Sequence, residues 1–226
     1  DFNGDGRTDI ALIRQTAGWG SMPVAFANGD GSWRIANIST GDFAGFAATP
    51  GVQPLTGDFN GDGRTDVALV NQKAGWGSMP VAYANADGTW QILNSSSGAF
   101  AGFAATPGVL PLTGDFNGDG RTDVALLRRT AGWGSMPVAL SNGDGTWKII
   151  NRFIGGDFVG WATDSSRVQA LTGDFNGDGR TDVALTRRIA GWTTMPVAFA
   201  NGDGTWRITN RDIGDFAGWA ATYGAV

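Results

Sequence analysis

The sequence predicts an all-β fold, a β-propeller built of four-stranded antiparallel blades. Three observations predict it. The nonapeptide DFNGDGRTD recurs four times, at Asp1–Asp9, Asp58–Asp66, Asp115–Asp123 and Asp174–Asp182, with starts 57, 57 and 59 residues apart. Each unit carries about four strand-like stretches in one order. No linker separates the units, so they must pack directly on one another. Four-stranded units repeating at roughly 40–60 residues are the signature of propeller blades.

Within a unit the first strand follows the acidic loop. Ile10-Ala11-Leu12-Ile13 and Val67-Ala68-Leu69-Val70 are apolar on both faces, as a strand covered on both sides must be. Met22-Pro23-Val24-Ala25-Phe26 is the second strand, with proline near its start, where a missing N–H is tolerated. Gly29-Asp30-Gly31 makes a hairpin turn. Trp33-Arg34-Ile35-Ala36-Asn37 alternates, as a half-exposed outer strand does. The Gly-Phe-Ala-rich segment that follows shows no helical periodicity and reads as a connection. Val52–Phe59 supplies the remaining strand, which runs into the next acidic loop.

The four repeats, starting at residues 1, 58, 115 and 174, form one domain over 1–226. The chain ends at Ala221-Thr222-Tyr223-Gly224-Ala225-Val226, which matches Ala48–Gln53. That end is expected to supply the strand before Asp1 and so complete the first blade. The same cut suits a piece of a larger propeller, and it leaves an oligomer open. The chain has no initiator Met and no signal-peptide pattern, as expected of a processed or excised chain.

Composition narrows the function. There is no Cys and no His, and all 21 acids are Asp. Disulfides, thiolate metal sites and the ordinary neutral-pH proton shuttle are therefore excluded. Ser21, Ser78 and Ser135 have no His partner, and Thr194 replaces them in the fourth unit. No nucleophile-elbow, P-loop or dinucleotide motif is present, so no enzyme is expected. The four nonapeptides carry −8 of a net −5, leaving the rest at about +3. That leaves no basic stripe for nucleic acid. No apolar run approaches the roughly 20 residues that span a bilayer.

The nonapeptide places oxygen donors at alternate positions, the pattern that Ca²⁺ uses to gather six to eight hard ligands. Asp1, Asn3 and Asp5 offer side-chain oxygens, Arg7 its carbonyl, and Asp9 closes the shell. The same roles fall to Asp58, Asn60, Asp62, Arg64 and Asp66, to Asp115, Asn117, Asp119, Arg121 and Asp123, and to Asp174, Asn176, Asp178, Arg180 and Asp182. Gly6 allows the sharp turn. The loop is not an EF-hand: position 12 is leucine, not glutamate, and lies in a strand. Three carboxylates within nine residues repel one another unless a cation joins them.

Ten tryptophans suggest a binding module. Trp33, Trp90, Trp147 and Trp206 head the outer strands, and packing is their expected role. Trp19, Trp76, Trp133 and Trp192 follow Ala-Gly in a loop, where a flat apolar ring can face a sugar.

The acidic loop resembles the calcium loop of FG-GAP and VCBS repeats, as in integrin-α propellers. The whole unit resembles the blades of PVL-like lectins, seven-bladed sugar-binding propellers. That resemblance implies a secreted, Ca²⁺-binding, multivalent lectin recognising glycoconjugates and cell-surface glycans. It places the sugar between neighbouring blades, near a Gly-Trp element upstream of the acidic loop. The matching positions are Phe46, Phe103, Trp161 and Trp219, with Phe replacing Trp in the first two. The alternative is a Ca²⁺-stabilised adhesion or scaffold module, integrin-like, without sugar binding.

Overall fold

The computed structural model of the chain describes residues 1–164 and 167–222. Each repeat folds as a meander. In the second, β4 (Val52–Gly57), β5 (Asp66–Asn71), β6 (Ser78–Ala84) and β7 (Trp90–Ser96) lie in that order in one sheet. Neighbours are antiparallel, in the register Gly57↔Asp66, Val67↔Ala82 and Ala84↔Trp90. The third repeat forms β8 (Val109–Gly114), β9 (Asp123–Arg128), β10 (Ser135–Ser141) and β11 (Trp147–Phe153). The fourth forms β12 (Val168–Gly173), β13 (Asp182–Arg187), β14 (Thr194–Ala200) and β15 (Trp206–Asp212).

The first sheet has three strands among the described residues: β1 (Ile10–Ala11), β2 (Ser21–Ala27) and β3 (Trp33–Ser39). Residues 223–226 of the segment expected to complete it lie outside the described residues. β1 is shorter than its counterparts, which run for six residues against a neighbouring inner strand.

The chain divides into two compact units. One comprises Asp1–Thr106 with the hairpin tip Ser141–Lys148; the other comprises Pro107–Leu140 and Ile149–Val226. Each has its own apolar cluster. The first is centred on Phe26, Phe43, Met22, Leu69 and Val24, the second on Phe158, Met136, Leu127, Leu185 and Val183.

The segments read as connections contain short helices instead: α1 (Asp42–Ala47), α2 (Ala99–Ala104), α3 (Gly156–Ala162) and α4 (Asp215–Ala220). Six or seven residues hold fewer than two turns, too few for a 3.6-residue period to appear. Such helices are marginal alone, and α1 to α3 form because one face is buried. Phe43, Ala44 and Ala47 bury that face in α1, which packs on β4 and β6. Gly41 enters the helix at φ 53, a left-handed angle that favours glycine. No helix among the described residues is long and apolar enough to cross a membrane.

Candidate functional site

The four acidic loops share one geometry. Asp1 Oδ1 accepts from the N–H groups of Gly4 (2.7 Å) and Asp5 (3.0 Å), and Oδ2 from Gly6 (2.8 Å). Asp58, Asp115 and Asp174 accept the equivalent three bonds. Asn3 Oδ1 also reaches the Asp5 N–H, at 3.1 Å, so oxygens from positions 1 and 3 converge on one point. Asp5 Oδ1 accepts from Arg7 N, and its Oδ2 takes both the Asn3 amide and the Arg7 guanidinium. Gly4 and Gly6 sit at φ 77 and 83, which the turn requires.

The last acid of each loop turns inward. Asp9 accepts from Phe2 N at 2.8 Å and from Ala27 N at 2.9 Å; Asp66 and Asp182 bind their equivalents. Arg7 Nε donates to Ala27 O at 2.6 Å, beside that bond. Asp9 and Arg7 together clasp the loop to the end of the second strand. Burial pushes the Asp66 carboxyl up to about 7, opposed by the Ala84 and Phe59 N–H donors and aided by the charges of Asp62 and Asp58. Burial likewise raises Asp182. Asp174 lies below its ordinary range, first through the Gly179 N–H and, against slight desolvation, through the Gly177 and Asp178 N–H groups.

The remaining loop residues join one repeat to the next. Thr65 N donates to Asp1 O at 2.8 Å, and Thr181 N to Asp115 O at 2.6 Å. Phe2, Phe59 and Phe116 pack edge-on against Trp90, Trp147 and Trp206, with centroids 5.7–5.9 Å apart. All nine positions of the motif therefore have a structural task within the protein.

The donor set suits a hard cation. An ionised carboxylate offers about four lone pairs, and Asp1 spends three of them on loop amides. Asn3 and Asp9 keep further acceptor capacity. Among the described residues no group of three carboxylates is gathered closely enough to hold a metal ion as it stands. The Arg7 guanidinium occupies the Asp5 oxygen that an ion would compete for. The fit is therefore one of composition and convergence at positions 1, 3 and 5. An ion would be held by those side chains with the Arg7 carbonyl and Asp9, and it would neutralise their charge.

The tryptophan candidates fall into distinct settings. Trp19 is exposed, and Trp76, Trp133 and Trp192 are half-buried. Guanidinium groups lie over three of these rings: Arg14 over Trp19 at 5.9 Å, Arg128 over Trp133 at 5.6 Å and Arg187 over Trp192 at 5.7 Å. The glycine before each of those tryptophans has a positive φ that favours glycine. Gly132 has φ 119, and a Cβ there would stand 2.8 Å from Arg128 Nη1. Sequence reasoning missed these arginines. Aligning the repeats shows them at position 14 of repeats one, three and four, with Asn71 in repeat two.

Phe46 on α1 meets Trp76 edge-on at 5.7 Å, so two residues proposed on separate grounds stand together. Phe103 on α2 and Trp161 on α3 are half-buried, and Trp161 packs against the core of the second unit. Trp219 on α4 is 66% exposed. Trp192 and Trp219 line one hollow of about 530 Å³ between the Gly-Trp loop and α4. Asp215, Thr193 and Thr222 supply its polar groups.

Residues 1–69, 58–126 and 115–185 each match the FG-GAP-like repeat family. The chain belongs to the FG-GAP-like repeat family. The three matches overlap by one acidic loop each, so this family's unit runs from one loop through the next. No curated protein matches the chain.

Among solved structures, the FG-GAP-like chain is similar to one described as the structural basis of specific recognition of non-reducing terminal N-acetylglucosamine by an Agrocybe aegerita lectin. Identity is 25% and the TM-score 0.70, over 98% of this chain and 53% of that one. The chain thus spans about half the length of that structure. A second similar structure, the exotype rhamnogalacturonan lyase YesX, has 16% identity and a TM-score of 0.33, over 84% of this chain and 40% of that one. The FG-GAP-like repeats and the likeness to the lectin establish an all-β fold of propeller-type blades.

Proposed function

We propose that the protein is a calcium-binding lectin that holds carbohydrate, without catalysis, in several similar pockets beside its Gly-Trp loops. The observation that carries the reading is the hollow between the Gly-Trp loop and α4. Its volume of about 530 Å³ suits one or two sugar rings, and two indoles line it with a carboxylate and two hydroxyls. Apolar ring faces beside a few placed polar groups are what sugar sites need. The likeness to a lectin supports the reading. Because that lectin recognises non-reducing terminal N-acetylglucosamine, this sugar is the first to test.

Calcium would occupy the four acidic loops, through the side chains of positions 1, 3, 5 and 9 and the carbonyl of position 7. Hard oxygen donors repeated four times without change support it. Sites of this kind suit the outside of the cell, where the ion is plentiful, and we place the protein there as a secreted molecule. Asn37-Ile38-Ser39 and Asn94-Ser95-Ser96 have the form of glycosylation acceptors.

One observation favours a second reading, the adhesion or scaffold module. Three of the four loop tryptophans already have a guanidinium over one face. A glycan array decides between the two. The lectin reading expects binding to glycans ending in N-acetylglucosamine or a related sugar, and its loss in Trp219→Ala, whose exposed ring contributes little to the core. Silence across the array would favour the scaffold.

A further inference from the structure

We propose that Phe153 is a sugar-contacting residue, the exposed ring of a pocket in the third repeat. The inference rests on the lectin reading and deepens it at one position. Phe153 ends β11 and is 74% exposed, more than any other large hydrophobic side chain among the described residues. Its counterparts at the ends of β3, β7 and β15 are Ser39, Ser96 and Asp212. Those three close the turn that leads into the following helix. Ser39 Oγ accepts from Gly41 N at 3.3 Å, Ser96 Oγ from Gly98 N at 3.2 Å, and Asp212 Oδ1 from Gly214 N at 2.7 Å. A phenylalanine side chain has no acceptor for that bond.

The ring lies against the Gly-Trp loop of its own repeat. A Cβ added at Gly134, the residue after Trp133, would stand 2.9 Å from the Phe153 ring. A Cβ at the equivalent Gly20 or Gly77 would meet nothing. The backbone around the position is conventional for this chain. Gly134 O accepts from Ile154 N at 2.9 Å, as Gly20 O and Gly77 O accept from Thr40 N and Ser97 N. The strand end is therefore held as in the other repeats, and the side chain is what differs. In the fourth repeat the position of Gly134 is Thr193, which lines the hollow shared by Trp192 and Trp219. Phe153 thus carries a ring to the loop position that forms part of the wall there.

Folding does not account for the ring. With most of it in water, its burial contributes little, and the turn gives up its side-chain acceptor. A position that departs from the local rule without a compensating gain marks function. Its neighbours indicate which function. In the fourth repeat the helix supplies the open ring, Trp219, at 66% exposed. In the third the corresponding Trp161 is half-buried and packs against the core, and Trp133 has the Arg128 guanidinium over its ring at 5.6 Å. Phe153 then provides the open aromatic face that this loop otherwise lacks, from the outer strand instead of the helix. An exposed ring beside a polar loop backbone suits the apolar face of a sugar. All of these residues belong to the second compact unit.

Fluorine NMR on the full chain tests the assignment, with N-acetylglucosamine as the titrant. Trifluoromethylphenylalanine placed at position 153 reports on that ring, and fluorotryptophan reports on Trp133 and Trp219, whose signals are assigned with Trp133→Phe and Trp219→Phe. The signal at position 153 should shift saturably with added sugar. Phe153→Ser should raise the midpoint read at Trp133 by roughly 5–10-fold, the worth of one aromatic stack, and leave the midpoint read at Trp219 in place. Phe153→Trp keeps a ring there and should keep the affinity. The melting temperature of Phe153→Ser should not fall, because the ring is mostly in water. A shift at Trp219 with none at position 153 overturns the assignment and leaves the lectin reading standing. So does a Trp133 midpoint that Phe153→Ser does not move. A lowered melting temperature in Phe153→Ser overturns it as well, by making the ring a packing element. Silence at all three positions removes binding of this sugar, and the assignment with it.

Discussion

Asp62 and Asp87 are both exposed acids in turns, yet their surroundings give them different tasks. Asp62 stands in an acidic loop with Asp58, Asn60 and Arg64 around it. Asp87 caps its own hairpin turn, accepting from Thr89 N at 2.9 Å and Thr89 Oγ1 at 2.7 Å. Those two bonds, the backbone one first, hold the Asp87 carboxyl below its ordinary value, against slight desolvation. A depressed native pKa contributes stability above the unfolded value near 3.8 that is lost as pH falls through the folded one. Thr89→Val should therefore raise the Asp87 pKa toward 3.8 in a carbon-detected NMR titration. An unchanged midpoint would show that the turn does not hold the ionised form. Asp62→Ala should lower the melting temperature more than Asp87→Ala in saturating Ca²⁺, and the gap should shrink in EDTA. Equal losses in Ca²⁺ would mean that the acidic loop is only a turn. The sequence made the nine repeated letters visible, but not their division of labour. Asp9 is written like a ligand, yet both its oxygens take backbone N–H groups, a fact that depends on a strand end eighteen residues away.

The strands were legible because their patterns are long enough to have a period. Val67–Val70 is apolar on both faces and is buried on both, and the observed β2, Ser21–Ala27, brackets the strand expected there. The helices were not legible, because α1 to α3 are stabilised by what they cover and not by propensity. Their phenylalanines were visible as composition, not as a buried face. The first strand shows the reverse error. Ile10-Ala11-Leu12-Ile13 reads as doubly covered, but Ile10 and Leu12 are about half exposed, since the sheet has no fourth strand among the described residues. Local pattern reports what a strand is built to meet, not whether it meets it. This has a measurable consequence for one motif position. Phe59→Ala removes a fully buried ring and should cost about 3–5 kcal/mol in denaturant unfolding. Phe175→Ala should cost well under half of that, because its ring is half in water. Equal costs would mean that the two phenylalanines share one environment.

For the molecule as a whole, the proposed lectin would act by repetition, through four identical loops and the pockets beside its Gly-Trp loops. Chelation tests the loops together. With a Kd near ~0.1 mM and ~1–2 mM Ca²⁺, each occupied site stabilises by roughly 1.5 kcal/mol. Four independent sites would contribute about 6 kcal/mol, comparable with the whole stability of many domains. EDTA should therefore lower the melting temperature substantially, and Ca²⁺ should restore it; an unshifted curve would remove the metal from the account.

On the lectin reading, the pockets would act through avidity. A free monosaccharide should bind weakly, with Kd near ~1 mM or about −4 kcal/mol. A surface dense in the same sugar should be held roughly 10²–10⁴-fold more tightly without any new contact. Trp161 and Trp219 stand in repeats three and four where Phe46 and Phe103 stand in one and two, so two classes of pocket are expected, with the Trp class tighter. The structure sharpens the choice of variant. Trp161 packs against the core, so its removal mixes folding with binding, whereas Trp219 stands 66% exposed beside Trp192. Calorimetry on free sugar and surface plasmon resonance on immobilised glycan should both be run on Trp219→Ala. Loss of one pocket among several should reduce the number of sites in the first measurement. In the second it should shorten residence disproportionately, because each lost contact divides the avidity. Unchanged stoichiometry and residence would exclude Trp219 as a platform. The search would then move to Trp19, Trp76 and Trp133, where Arg14, Phe46 and Arg128 already crowd the rings.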